Sequence, residues 1–374
     1  MTAARRTALL PLEQLEVSSY SVPTDGPEAD GTLAWEATPV VVVEARAQGS
    51  VHGTGWTYGP AAVGTLITQD LAPLLLGSEV LDIPAAHDSM SRAVRDYGRP
   101  GLTSAAISAV DLALWDLKAR LLGLPLARLL GAVRDEVPVY GSGGFTTYHD
   151  THLASQLAGW VHGQGIERVK IRIGEAWGRA AVRDLDRVRL AREVIGLQAD
   201  LYVDASGGYT RKQAVRIGRP LAEHGVGWFE EPVPGEDLAG LRVVRDAVVQ
   251  DVASGGRGGD LAAFARLVTE GAVDCLVLDA TRCGGVTDFV RAAGVAQAHG
   301  LEVSTRGAPH VHAQLGTVVP NLRHVEWFHD HVRVESMFFD GVLDPRGGVV
   351  RIDRSAPGHG LTLRHEEAEP YRVA

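Results

Sequence analysis

The 374-residue chain predicts an α/β protein: a closed (β/α)8-type barrel preceded by a smaller α+β segment. Three observations carry that reading. The length fits about two domains, or one large barrel with an added unit. After about residue 135, short apolar runs alternate with helical stretches, as parallel βαβ units require. No G-x-G-x-x-G follows the first strand, which weighs against an open dinucleotide-binding sheet, the other arrangement that such alternation allows.

Residues 1–130 form the first segment. Thr38 to Ala47 (TPVVVVEARA) is β-branched and strand-like. Gly49 to Gly59 (GSVHGTGWTYG) reads as a glycine-rich turn with aromatics. From Ser104 to Leu122, Ile107, Val110, Leu114, Leu117 and Leu121 recur at helical spacing, and Gly123 and Pro125 stop the helix. Residues 131–339 form the barrel. Its strand candidates are Val137–Tyr140, Arg168–Ile173, Leu201–Ala205, Gly227–Glu230, Asp251–Ser254, Cys275–Asp279, Leu301–Thr305 and Leu322–Trp327. Helical stretches at Arg179–Ile195, Arg211–Glu223, Leu261–Glu270 and Val286–Ala298 supply crossovers.

Composition narrows the function. With 45% hydrophobic and 22% charged residues, a sizeable core forms. The net charge is −10 and no Lys/Arg-rich run exists, so nucleic acid is not an expected partner. No apolar run of about 18 residues predicts a membrane span. Met1 to Leu12 carries Arg5 and Arg6, but the apolar patch after them is too short for a secretory segment. Two cysteines, Cys275 and Cys283, make no disulfide scaffold, and a reducing cytoplasmic setting is expected. Lys118, Lys170 and Lys212 are the only lysines against 33 arginines. A retained lysine is therefore informative, and a single arginine is not.

Ionisable residues recur at the strand ends, where (β/α)8 barrels carry their chemistry. Lys170 and Arg172 are two apart on the second strand and share a face. Asp204 ends the third, Glu230 and Glu231 the fourth, and Asp279 the sixth. Arg306 follows the seventh, and Glu326 lies late on the eighth. Each follows an apolar run, and together they describe a convergent ionic site. His310 and His312 follow Arg306, while His324, His329 and His331 surround the eighth strand without diagnostic ligand spacing.

These residues resemble the enolase superfamily in its mandelate racemase-like branch. The helix Ala106–Lys118, the Lys170-Ile-Arg172 pair, Val203-Asp204, Glu230-Glu231-Pro232, Leu278-Asp279-Ala280 and the stretch Asn321–Glu326 carry the likeness. The resemblance implies a TIM barrel with an N-terminal α+β capping domain, completed by the C-terminal tail 340–374. It implies loops at Tyr20–Trp35 and Gly49–Gly59 closing over the barrel mouth, with Tyr20, His52, Tyr58 and His310 as substrate-binding candidates. It further implies a lyase or isomerase that removes the proton α to a carboxylate of a hydroxy or sugar acid, and homo-oligomers. Mg²⁺, held by carboxylates, would stabilise the enediolate. Asp204 and Glu230 match the first two metal ligands, Lys170 the first lysine of a K-x-K pair, Asp279 the dyad aspartate and Glu326 the late substrate-bonding carboxylate.

The pattern breaks at three places. Gly256 stands where the third metal ligand belongs, with Asp251 at the far end of that strand and Asp260 in the next helix. Arg306 stands for the dyad histidine, and Arg172 for the second lysine. Two carboxylates plus water can hold Mg²⁺, but guanidiniums about 4 Å away oppose it by roughly 4 kcal/mol per unit charge pair at an effective dielectric of 20. The expectation is a site that works without bound Mg²⁺. In it Arg172 and Arg306 neutralise Asp204 and Glu230, and Lys170 is the base. The alternative from a different class is a pseudoenzyme that binds a carboxylate ligand or a partner without turnover.

Overall fold

The computed structural model describes residues 9–47 and 49–374. Residues 1–8, and with them Arg5 and Arg6, lie outside the described residues. The valine run of the first segment falls in β2 (Ala34–Ala47), the middle strand of an antiparallel sheet between β1 (Leu12–Ala29) and β3 (His52–Thr57). Both faces of β2 are buried. Val41, Val43 and Ala45 join one core with helix α1 (Leu102–Leu121), while Val40 and Val42, on the opposite face, join the core of the barrel. A run without polar alternation follows from this double burial.

Gly49–Gly59 is not a loop over the barrel mouth. Most of it is β3, and its glycines serve packing. A Cβ on Gly53 would lie 2.2 Å from Leu117 N, and one on Gly55 2.2 Å from Ala109 O, so α1 crosses directly against the strand backbone. The Tyr20–Trp35 stretch is likewise mostly strand. Only the hairpin tip between Ala29 and Ala34 departs from β1 and β2.

All eight expected barrel strands form: β4 (Glu136–Gly143), β5 (Arg168–Arg172), β6 (Asp200–Asp204), β7 (Val226–Glu230), β8 (Asp251–Ser254), β9 (Cys275–Leu278), β10 (Glu302–Thr305) and β11 (Leu322–Phe328). Each pairs in parallel with the next, and β11 closes on β4 through Val325 and Val139. The crossover helices are α2 (Asp150–Ala158), α3 (Ala181–Ile195), α4 (Arg211–Glu223), α5 (Leu238–Arg245), α6 (Leu261–Thr269), α7 (Gly285–Ala298) and α8 (Pro309–Val318), with α9 (His329–Phe338) after β11. Tyr140, Tyr202, Trp228, Cys275 and Val277 form a separate buried cluster contributed by the barrel strands, with His324 packed on their rings. Both cysteines are free and buried.

The first segment is tied to the barrel through α1. Asp111 accepts from Thr287 N (3.0 Å) and Oγ1 (2.6 Å), and Ser108 Oγ accepts from Gly284 N at 2.8 Å. The C-terminal tail returns to the same segment. Ser19 N donates to Ala374 O at 2.7 Å, and Asp116 accepts from both Thr54 N (2.9 Å) and His359 N (2.8 Å). Among the described residues no helix is long and apolar enough to cross a membrane.

Candidate active site

The period of a strand turns Lys170 and Arg172 of β5 inward together, with Val169 and Ile171 in the surrounding core. Lys170 is 1% exposed. Its Nζ lies 2.6 Å from Glu230 Oε2 and 2.7 Å from Glu326 Oε1, and it donates to Tyr140 Oη at 3.3 Å. Asp204 Oδ2 is farther, at 3.9 Å. Arg172 instead pairs directly with Asp204, its guanidinium 5.5 Å from the centre of the Phe328 ring. Asp204 also accepts from Ser206 N at 2.7 Å, and Glu230 from Trp228 Nε1 at 3.2 Å. Glu326 takes Ser142 Oγ (2.7 Å) and Gly307 N (2.6 Å). Burial raises the Glu326 carboxyl, but the Lys170 and Arg172 charges outweigh it and hold the group well below the usual carboxylate range.

Gly256 lies two residues past the end of β8, and the space beside it belongs to Arg306. A Cβ on Gly256 would lie 2.5 Å from Arg306 Cδ, and the guanidinium of Arg306 donates to Gly256 O at 3.1 Å. Arg306 therefore does not neutralise Glu230, as the sequence led us to expect; Lys170 does. No carboxylate lies within salt-bridge distance of Arg306 among the described residues. Asp279 Oδ1 is taken by Thr281 N and Oγ1, and its Oδ2 faces Arg282 Nε at 3.5 Å.

Above this ionic floor lies a cavity of about 450 Å³ between the barrel mouth and the β1–β2 hairpin. Arg172, Arg257, Arg282 and Arg306 line it, with Tyr58 and His331; Asp30, Leu33 and Trp35 come from the hairpin. Arg257 is bound by Glu231 Oε2 at 2.6 Å. Burial and then the Arg306 charge lower Arg282 to about 10, which leaves it cationic at neutral pH. His331 Nδ1 accepts from Ala308 N at 3.0 Å, which places the ring proton on Nε2. Burial first, then Arg282 and Arg306, hold its pKa well below the ordinary value, so the imidazole is neutral. Ser206, Glu231 and Ala308 all carry positive φ in loops that follow barrel strands, a clustering of backbone strain typical of functional sites.

The structure brings Lys170, Arg172, Asp204, Glu230 and Glu326 together, with Arg306 lining the cavity above them; Asp279 is fully buried and does not line it. The structure does not bring in three of the expected substrate contacts. Tyr20 packs edge-on against Phe338, His52 sits on β3 at 3.8 Å from Glu44, and His310 is pinned to Glu335. Tyr58 does reach the cavity, its hydroxyl held by Glu335 at 2.8 Å. Lys170 lies beneath the lining, covered in this arrangement. His312 is structural: its Nε2 accepts from Ala280 N at 2.9 Å. Arg257 and Arg282 escaped the sequence reading, and His331 was read only as one of three histidines around the eighth strand. An arginine carries little signal in so arginine-rich a chain, and nothing in the sequence turns His331 inward.

The enolase C-terminal domain-like family matches residues 152–368, and the N-terminal domain family of mandelate racemase and muconate lactonizing enzyme matches residues 18–131. The chain belongs to the mandelate racemase-like branch of the enolase superfamily. Among its relatives, an L-talarate/galactarate dehydratase of Salmonella typhimurium is 32% identical over 87% of this chain and 81% of that protein. A mandelate racemase/muconate lactonizing enzyme-like protein from Rubrobacter xylanophilus is 47% identical, with a TM-score of 0.92 over 97% of this chain and all (100%) of that one. A Streptomyces coelicolor racemase with bound magnesium is 29% identical, with a TM-score of 0.91 over 97% of this chain and 100% of that one.

Magnesium is thus held by a relative. A hard cation needs several oxygens free to converge on it. Asp204 and Glu230 are each engaged by a protein cation, Gly256 offers no oxygen from a side chain, and Arg306 fills the space beside it.

Proposed function

We propose that the protein is a lyase or isomerase acting on a sugar acid or other small hydroxy acid by proton abstraction α to the carboxylate, with guanidiniums in place of Mg²⁺. The observation that supports this reading is that Gly256 carries no side chain and Arg306 fills the space beside it. Arg306, with no carboxylate partner of its own, binds the substrate carboxylate, and Arg172 joins it. Paired guanidinium donors stabilise the enediolate charge as it develops. His331, neutral with its proton on Nε2, donates to a substrate oxygen. Lys170, once it has given up a proton to solvent, takes the α-proton, and substrate drawing Arg172 off Asp204 opens the way to it. Residues 1–130 with the tail 340–374 act as the cap over barrel 131–339. Cytoplasmic homo-oligomers without nucleic-acid or membrane partners complete the proposal.

The test is α-proton exchange in D₂O across a set of sugar acids with EDTA-treated protein. Exchange that needs no added metal and is abolished in Lys170→Met supports the reading. Ligand binding with neither exchange nor turnover would instead identify a carboxylate-binding pseudoenzyme.

A further inference from the structure

At the outer edge of the mouth, Asp25 and Glu28 near the end of β1 meet His329 at the start of α9. One oxygen of each carboxylate and one imidazole nitrogen all lie within 4.8 Å of one another, and His329 Nε2 is 2.9 Å from Asp25 Oδ2. Glu28 is 1% exposed. Its Oε2 accepts from Trp35 Nε1 at 2.8 Å, but its Oε1 has no partner. No cation of the protein lies within salt-bridge distance of Glu28 among the described residues, and neighbouring Asp330 is already paired with Arg333 at 2.8 Å. A buried carboxylate with an orphaned oxygen and no counter-charge is costly unless it takes up a proton or a cation.

We propose that Asp25, Glu28 and His329 bind a divalent transition-metal ion. One imidazole and two carboxylates suit Zn²⁺, Mn²⁺ or Fe²⁺ and leave positions for water or a further ligand. An all-oxygen Mg²⁺ site would not call for the histidine. Asp25 is exposed and His329 partly so, which gives the ion an entry path. The ion would tie the β1 hairpin to the barrel beside the cavity, fixing Asp30, Leu33 and Trp35 in place over the ligand. This site is separate from the ionic floor and does not depend on how that floor works.

The experiment is a calorimetric titration of the full-length, EDTA-stripped protein with Zn²⁺, alongside thermal melts and the visible absorption of added Co²⁺. One ion per chain is expected, with a higher melting temperature and Co²⁺ bands typical of nitrogen and oxygen ligands. His329→Ala and Glu28→Gln each should weaken binding by about tenfold or more, and Asp204→Asn should leave it unchanged. Asp25→Asn, at an exposed position, tests the same ligand set should Glu28→Gln fail to fold. Absence of Zn²⁺ binding, binding that survives His329→Ala, or binding lost in Asp204→Asn would overturn the proposal.

Discussion

Gly256 and Arg306 share one space. A Cβ at 256 would meet Arg306 Cδ at 2.5 Å, so a side chain at 256 and the arginine exclude each other. Gly256→Glu alone should therefore destabilise the protein by about 1–3 kcal/mol through overpacking, read as a lower midpoint in urea, and Arg306→Ala in the same chain should restore most of the loss. Arg306→Ala in the wild-type background should weaken sugar-acid binding by roughly 10–100-fold, the effect of losing a charge-assisted contact of about 1.5–3 kcal/mol; calorimetry measures it, and unchanged affinity would place the carboxylate elsewhere. The residues of the floor were legible in the sequence because each lies on or at the end of an apolar strand. What the sequence did not give was the pairing. Whether Lys170 or Arg306 takes Glu230 depends on reach across the barrel, and neighbours in the chain do not determine that.

At the scale of elements, strands were easier to find than helices. The eight barrel runs are buried on both faces and bounded by turns, and every one forms. Helix α8 escaped because all of its residues are buried, which removes the polar face that marks an amphipathic helix; α2, α5 and α9 are at most ten residues long. β3 was misread because glycines signal turns unless a helix backbone lies against them. Gly55→Ala should thus be severely destabilising, by about 3 kcal/mol or more, since its Cβ meets backbone that cannot rotate away. Gly49→Ala is the control, with open space around it and only its positive φ at stake. Equal melting temperatures for the two variants would contradict the packing of α1 on β3.

The molecule as a whole is two layers of charge management. Asp111 anchors α1 to the start of α7, and burial raises its carboxyl to about 6 despite the hydrogen bonds from Thr287. A raised folded pKa means that the unfolded chain gives up this proton first. The stabilising contribution is complete below about pH 4 and is lost as pH rises through 6. Asp111→Asn keeps an acceptor for Thr287 N and has no proton to lose, so its stability should fall less than that of the wild type between pH 4 and pH 6 in urea denaturation. At the barrel mouth, the carboxylates Asp204, Glu230 and Glu326 are answered by Lys170 and Arg172, which leaves Arg306 for an incoming anion. The decisive measurement is a Mg²⁺ titration of the metal-stripped protein, compared with the Asp204→Asn variant. The account predicts no Mg²⁺ binding that depends on Asp204 at millimolar concentrations. One tightly bound Mg²⁺ per chain, lost on replacing Asp204, would contradict it.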